Sequence, residues 1–262
     1  MSNLNAQFRQ RIGLAENVAI TFDTLNMVLE KTARALAFEN LPIIAKETTR
    51  LTKENLINKI INKQGGGLCY DLNSILYLFL KENGFTCSLI RGITFNHEKQ
   101  AWNTIGRTHV AILLTHHRQH YIVDTGFGGN LPLVPVPLNG EVVTSNNGEF
   151  RIEKVKNELG DYIFHMKLKH KDRDWKIGYG FDSTVKYENI EDLNEVQTII
   201  VEHQNSPFNK RPLVTRLTDN GSVTLTDTSL TEWVNGKESK REISAEDFEK
   251  IVNDRFGIKY HH

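Results

Sequence analysis

The sequence predicts an α+β protein in which helices come first and an antiparallel sheet follows. Up to about residue 84, apolar residues recur at the three- and four-residue spacing of helices. Between about residues 85 and 190, short runs rich in β-branched and aromatic residues are separated by turns that contain Gly, Asn and Asp. The last stretch mixes the two patterns. These changes of period predict three units, 1–84, 85–190 and 191–262, joined by short turns.

The composition is that of an ordinary globular protein. The 262 residues include 32 Lys and Arg and 32 Asp and Glu, so that the formal net charge is +0, and 39% of residues are hydrophobic. Without a basic excess, no nucleic acid is expected as a partner. The chain lacks the apolar core of a secretory signal near its start, and no apolar run approaches the ~18 residues of a membrane span. We therefore expect a cytoplasmic protein without a membrane partner. The sequence carries no indication of oligomeric state.

The first unit contains three predicted helices. Helical spacing of apolar residues places the first at Thr21–Ala37 and the second at Leu51–Ile61, where Thr52 provides an N-cap. The third begins at Cys69 and ends at Gly84, since glycine commonly terminates helices.

The second unit is predicted to form a small antiparallel sheet or barrel. The predicted strands are Thr86–Phe95, His109–Leu114, Tyr121–Val123, Tyr162–Leu168 and Trp175–Phe181. Prolines 132, 135 and 137 predict that Leu131–Leu138 is an extended connection or an edge strand, because proline cannot donate to a sheet ladder.

The third unit is predicted to mix one helix near Glu191–Glu202, short strands and a terminal helix. The strands are expected around Val214–Leu217, Val223–Thr226 and Thr231–Val234. Ser244 and Asp247 resemble a capping box for the terminal helix.

Cys69 is the strongest candidate for a reactive residue. Glycines 65–67 precede it and predict a loop that approaches another part of the molecule closely, since each would cost about 1 kcal/mol inside a helix. The helix that follows places Cys69 in its first turn, where backbone N–H groups and the helix dipole favour a thiolate. Cys87 lies in an alternating strand and is predicted to be a buried structural thiol. No disulfide is expected.

His109 and Asp124 are the candidate base and acid for this nucleophile. If residues 109–114 and 120–124 pair as a hairpin, both side chains lie at the same end of the sheet. A nucleophile, a base and an orienting acid are the three parts of nucleophilic catalysis by a thiol. A histidine on a strand is also common as a partly buried structural residue, so this assignment depends on the hairpin.

The segment TGFGGN, residues 125–130, follows Asp124. It can be a simple turn. It can also be a backbone surface that a long substrate with a phosphate group approaches closely, because glycines have no Cβ atoms in the way. It matches no Walker or dinucleotide-binding fingerprint.

The motifs together resemble the arylamine N-acetyltransferase family over most of the chain. The nucleophile motif of that family reads approximately R-G-G-x-C-x-E-x-N, and GGGLCYDLN matches it at Gly66, Gly67, Cys69 and Asn73. THVAILL with His109 and YIVDTGFGGNLPLVPVPL with Asp124 are similar to its other two catalytic segments. RIGL, FENL and SPF also resemble family segments.

The resemblance implies a helical bundle, a β-barrel and an α/β lid, with a cysteine-protease-like Cys-His-Asp core. It implies that acetyl-CoA acetylates Cys69, that CoA leaves, and that an arylamine, arylhydroxylamine or hydrazine takes the acetyl group, with a role in xenobiotic metabolism. No metal is implied. Phe38, Phe127 and Phe208 would form walls of the acceptor cleft or simply pack in the core. Residues near CoA would be Thr108, Gly126, Gly128, Gly129 and Phe208.

Two departures from the family motif flank the nucleophile. The arginine before the glycine pair is Gly65 here, and the glutamate two residues after the cysteine is Asp71. The loop must therefore be braced differently if relatives use those groups as an ion pair. Two other functions remain open from the residues alone: a papain- or transglutaminase-like cysteine hydrolase, and a binding protein on the same fold that has lost catalysis.

Overall fold

The computed structural model describes residues 4–260. His261 and His262, for which the sequence predicts no role, lie outside the described residues. The α-helices of the protein are α1 (Leu4–Arg11), α2 (Leu25–Ala35), α3 (Leu41–Ile44), α4 (Lys53–Leu56), α5 (Cys69–Glu82), α6 (Asn194–Glu202) and α7 (Ala245–Ile251). Two π-helical segments, Ile57–Asn62 and Val252–Phe256, continue α4 and α7. No helix within residues 4–260 has both the length and the apolar character needed to cross a membrane.

Helix α5 begins at Cys69, as predicted, and is buried over most of its surface. It contacts α1 on one side and strands of the sheet on the other. Its end is also as predicted, because Gly84 adopts a positive φ of 82°, which glycine accepts without strain. The second predicted helix is α-helical only in part: Thr52 caps α4 by accepting from Asn55 N, but the chain turns π-helical at Ile57.

The larger sheet is antiparallel and curls into a nearly closed barrel, which confirms the predicted antiparallel barrel-like sheet. Its members are β2 (Thr86–Asn96), β3 (Ala101–Trp102), β4 (His109–His116), β5 (Gln119–Val123), β6 (Val136–Pro137), β7 (Val143–Ser145), β8 (Gly148–Asn157), β9 (Gly160–Leu168) and β10 (Lys176–Phe181). The strand order is β6-β5-β4-β2-β10-β9-β8-β7, with β3 paired to β2 and β6 approaching β8. Aromatic side chains fill the interior, among them Phe150, Phe164 and Tyr179.

Strand β4 has two buried faces, which explains its continuous apolar sequence. Val110, Ile112 and Leu114 pack against the helices, whereas Ala111 and Leu113 belong to the barrel interior. Because side chains alternate along a strand, His109 shares the face of Ala111 and Leu113.

The predicted hairpin between β4 and β5 is present. Ile112 pairs with Val123, and the turn residues His117 and Arg118 both have positive φ, as a two-residue hairpin turn of type I′ requires. This register places the residue after β5, Asp124, near the start of β4.

A second antiparallel sheet has five strands in the order β1-β11-β12-β13-β14. These are β1 (Phe38–Glu39), β11 (Leu213–Thr218), β12 (Gly221–Thr226), β13 (Ser229–Val234) and β14 (Lys237–Glu242). Helix α7, capped by Ser244 as predicted, packs on this sheet through Phe248 and Ile251. Strand β1 comes from the N-terminal part of the chain and also forms a bridge from Phe38 to Gly67, so that the sheet reaches the loop before Cys69.

Candidate active site

Cys69 is buried at the start of α5, with only 6% of its surface exposed. Its Sγ donates to the backbone oxygen of Thr108 over 3.4 Å. The preceding glycines are required by sterics: a Cβ on Gly66 would overlap the carbonyl oxygen of Ala37, and one on Gly67 would lie 2.5 Å from Asp71. The close approach predicted for this loop is thus an approach to β1 and to the first turn of α5.

His109 and Asp124 are in direct contact, as the hairpin predicts. His109 Nε2 lies 2.7 Å from Asp124 Oδ2, and both side chains are buried. Because Nε2 faces the carboxylate, Nδ1 is the ring nitrogen that remains for the Cys69 thiol, which lines the same cleft as His109 and interacts with its ring. Burial alone lowers the pKa of His109, but Asp124 and the Cys69 sulfur outweigh it and raise that pKa to about 10. The neighbouring carboxylate therefore holds the imidazole in its protonated form at neutral pH.

Both carboxylate oxygens of Asp124 are held in place by further donors. Oδ1 accepts from Asn73 Nδ2 at 2.9 Å and from Gly126 N at 2.8 Å, and Oδ2 accepts from the Tyr179 hydroxyl at 3.1 Å. Burial raises the pKa of Asp124, but His109, Asn73 and the Gly126 N–H outweigh it and bring that pKa below its usual value. Asp124 is therefore an anion in a fixed orientation, as required of a group that orients a histidine.

Two aromatic rings pack on His109. The ring centroids of Tyr179 and Phe127 lie 4.4 Å and 4.8 Å from that of His109. Tyr179 also donates to Asp124, so that it fixes both members of the pair. Sequence reasoning missed Tyr179, because nothing in the local pattern of β10 distinguishes it from an ordinary interior aromatic residue.

A mostly apolar cleft of about 260 Å³ opens above Cys69 and His109. It is lined by five other residues singled out from the sequence: Phe38, Thr108, Gly126, Phe127 and Phe208. Gly128 and Gly129 are not among the lining residues, and the Gly129 carbonyl accepts from Asn147 Nδ2 at 3.0 Å. The structure therefore brings the three phenylalanines together with the thiol, but Gly128 and Gly129 lie outside the lining of the cleft.

The hairpin of β2 and β3 supplies one part of the cleft that sequence reasoning missed. Phe95 and His97 line the cleft from this hairpin, and His97 Nε2 contacts the Ile177 carbonyl oxygen of β10 at 2.7 Å. Strand β3 has only two residues, which is too short to give a periodic signal.

The two departures from the family motif have structural counterparts. Lys59 Nζ lies 2.8 Å from Asp71 Oδ2, so that the cation beside this carboxylate comes from the π-helical segment. Arg11, at the end of α1, donates to the carbonyl oxygens of Gln64 and Gly65, so that hydrogen bonds connect this helix to the loop. Burial lowers the pKa of Arg11 to about 10, which leaves it charged at neutral pH.

Cys87 offers a test of the choice between the two thiols. It is free, is 3% exposed in β2, and burial raises its pKa to about 12, so that its reactive thiolate is rare at neutral pH. We expect Cys87→Ser to leave the rate of iodoacetamide labelling unchanged and to cost about 1–2 kcal/mol of stability through its buried hydroxyl. Peptide mapping by mass spectrometry identifies the labelled site; labelling at residue 87 in the unaltered protein would contradict the assignment.

Within residues 4–260, no group of three His, Cys, Asp or Glu side chains could hold a metal ion.

Comparisons with known proteins agree over nearly the whole chain. A family profile described as N-acetyltransferase matches residues 21–262. An uncharacterized acetyltransferase of Bacillus subtilis (strain 168) is 39% identical, over 98% of this chain and 98% of that protein.

Two solved structures extend the comparison. An arylamine N-acetyltransferase of Bacillus cereus is similar with a TM-score of 0.92 and 39% identity, covering 99% of this chain and 100% of that one. Its structure is reported to reveal a unique Cys-His-Glu catalytic triad, whereas the acid that contacts His109 here is Asp124. An arylamine N-acetyltransferase of Mycobacterium marinum in complex with CoA shares the fold, with a TM-score of 0.84 and 23% identity over 97% of this chain and 92% of that one.

Proposed function

The chain belongs to the arylamine N-acetyltransferase family, and we propose that it transfers an acetyl group from acetyl-CoA to an aromatic amine through an acetylated Cys69. The acceptor class comprises arylamines, arylhydroxylamines and hydrazines, including xenobiotic ones. The observation that carries the proposal is the contact chain from Cys69 through His109 to Asp124, which lies at one end of a mostly apolar cleft.

In the first half-reaction, His109 Nδ1 holds the proton of the Cys69 thiol. The thiolate attacks the carbonyl carbon of acetyl-CoA, and N–H groups at the start of α5 stabilise the oxyanion. The tetrahedral intermediate collapses, the bond to the CoA sulfur breaks, and CoA leaves with the proton from His109. Asp124 keeps the proton of Nε2 in place throughout, so that Nδ1 is free to exchange protons.

In the second half-reaction, the acceptor amine attacks the acetyl-cysteine. An aromatic amine is weakly basic and therefore uncharged at neutral pH, so that its nitrogen has a lone pair available. His109 takes the proton that the amine loses, and the thiol returns with the release of the acetylated product. CoA leaves before the acceptor reacts, which makes the cycle ping-pong.

The cleft fits a flat aromatic acceptor better than a charged one. Phe38, Phe127 and Phe208 form its apolar walls, and Phe38 and Phe208 meet edge to face at a centroid distance of 5.6 Å. Aromatic rings favour such packing with an aromatic ligand. Thr108, Gly126 and Phe208 line the cleft beside Cys69, which supports placing the acyl end of acetyl-CoA against them. Catalysis requires the Cys69 thiol to stay reduced, and the reducing cytoplasm meets this requirement.

Intact-mass spectrometry tests the proposal. Acetyl-CoA without an acceptor should add one acetyl group to the protein, and an arylamine should then remove it as the N-acetylated product. The Cys69→Ala variant should acquire no such group, because it lacks the nucleophile. Absence of the adduct in the unaltered protein, or its persistence in the variant, would overturn the proposal, and peptide-bond cleavage by the same sample would indicate a hydrolase instead.

A further inference from the structure

A cluster of buried charges lies behind the loop that precedes Cys69. It consists of Glu39 on β1, Asp71 in the first turn of α5 and Lys59 in the π-helical segment. The two carboxylate residues are 2% and 3% exposed, and the lysine side chain is 23% exposed. Neither the acetyl transfer nor the acceptor cleft described above uses these groups.

Asp71 connects Lys59 to the residue before the nucleophile. Asp71 Oδ2 accepts from Lys59 Nζ at 2.8 Å and from the backbone N–H of Leu68 at 3.0 Å. Leu68 is the residue directly before Cys69, so one carboxylate oxygen joins the lysine to the start of the helix. The position of this oxygen therefore fixes the backbone from which the thiol projects.

Glu39 holds the other side of the same loop. Its Oε2 accepts from Leu41 N at 2.6 Å, and the backbone N–H of Gly66 interacts with the same carboxylate electrostatically. Backbone bonds add to this, since Glu39 N donates to Gly67 O at 3.0 Å and Gly67 N donates to Ala37 O at 3.2 Å. The loop is therefore held between two buried carboxylates.

Two buried carboxylates close to one another need a cation, because an unpaired buried charge is costly. Among residues 4–260, Lys59 is the only ion-pair partner of Asp71, and it also acts electrostatically on Glu39. Burial alone lowers the pKa of Lys59, but the two carboxylates outweigh it and hold that pKa above its usual value. Lys59 is thus the cation that pairs with Asp71 and also stabilises the charge of Glu39, although burial still raises the pKa of Glu39.

Lys59 lies away from the substrate cleft. It lines a separate cavity formed by α3, the end of the chain and the π-helical segment, which shares no residue with the cleft above Cys69. The π-helical turn also brings the backbone to the loop, because Gly65 N donates to Lys59 O at 3.0 Å. A change at residue 59 therefore leaves the walls that contact donor and acceptor untouched.

We propose that Lys59 is a positioning residue for the reaction at Cys69, acting through Asp71 and Glu39 on the backbone of residues 66–68. Without the cation, the carboxylates repel each other or take up protons, and their hold on the Leu68 and Gly66 N–H groups weakens. The Cys69 sulfur then shifts relative to His109. The inference rests on the proposed function for the step that this placement serves.

The test compares Lys59→Met with Lys63→Met and Lys59→Arg. Lys63 lines the same cavity, is exposed and has no ion pair among the described residues. The Lys63→Met variant therefore removes the same charge without breaking an ion pair. We expect Lys59→Met to lower two rates by about 10- to 100-fold: the alkylation of Cys69 by iodoacetamide and the kcat of acetyl transfer. Small misplacements of reacting groups have effects of this size. The KM for acetyl-CoA should change less than about threefold. Lys59→Arg should recover most of the loss, and Lys63→Met should behave as the unaltered protein.

A double-mutant cycle with Asp71→Asn covers the case in which Lys59→Met does not fold, as judged by circular dichroism. Removing both members of the ion pair should restore folding, because Glu39, whose pKa burial already raises, can then take up a proton. Lys59→Met should also have a smaller effect in the Asp71→Asn background than alone. Unchanged kcat and alkylation in a folded Lys59→Met variant, or independent effects in the cycle, would overturn the inference. Failure of the unaltered protein to form an acetyl adduct would instead overturn the proposed function, and the alkylation measurements would still test Lys59.

Discussion

The Asp124→Asn variant should remain folded and lose about 10³- to 10⁴-fold in kcat/KM for acetyl transfer. In the unaltered protein, the carboxylate accepts the proton on His109 Nε2 and leaves Nδ1 for Cys69. A carboxamide can present its NH₂ group to Nε2, which favours the tautomer with the proton on Nδ1. That nitrogen then cannot accept the proton of the thiol. The loss of negative charge also removes the main cause of the raised pKa of His109.

Steady-state kinetics and a thermal unfolding curve check this prediction together. Asp161→Asn provides the control, because Asp161 accepts hydrogen bonds from Ser183, does not line the cleft and undergoes the same chemical change. That variant should keep kcat/KM within about twofold, as surface substitutions generally do. Near-normal rates in Asp124→Asn would show that His109 is oriented by another group, for which Tyr179 and Asn73 are the neighbours to examine.

The Gly126→Ala variant should lose about 3 kcal/mol of stability and most of its activity. A Cβ at this position would lie 2.6 Å from Cys69 Cα and 2.7 Å from Asn73 Nδ2. Both neighbours belong to α5, whose buried surface allows little movement. The turn after Asp124 or the start of the helix must therefore shift, and either shift separates the thiol from His109.

Gly129→Ala is the matched control for stability. A Cβ there would have no atom within 4 Å, and the residue does not have a positive φ. Its unfolding temperature should equal that of the unaltered protein. A rise in the KM for acetyl-CoA in this variant would indicate that the Gly129 backbone contacts CoA, as the family resemblance implies. Equal stability of the two alanine variants would contradict the steric argument.

The parts of the site that could be predicted are those specified by local sequence. Cys69 was placed at a helix start because glycines end and an apolar helical period begins there, and His109 and Asp124 met because a short hairpin connects their strands. Strand β8 was missed because charged residues dominate its outward face, and only Phe150 and Ile152 show its buried side. Its identity depends on pairing with β9 rather than on its own composition.

The contacts that could not be predicted join residues that no local pattern connects. Tyr179 reaches Asp124 across 55 residues. Lys59 is only 12 residues from Asp71, but helical spacing assigns its segment to a regular α-helix. Gly126 has a steric role that the local sequence does not indicate. Its missing Cβ makes room for the Cys69 backbone, and the same residue lines the cleft where a substrate is expected to approach.

The pairing of β1 with β11 has a consequence for the order in which the protein matures on the ribosome. β1 anchors the loop before Cys69, yet its partner strand follows much later: Leu213 N donates to Asn40 Oδ1 across 173 residues. Contacts so distant in sequence form late, and synthesis proceeds from the N-terminus. A nascent chain that has released Cys69, His109 and Asp124 but not β11 therefore lacks the part of the brace that passes through this sheet. That part can form only after synthesis has passed Thr218, which is the last residue of β11.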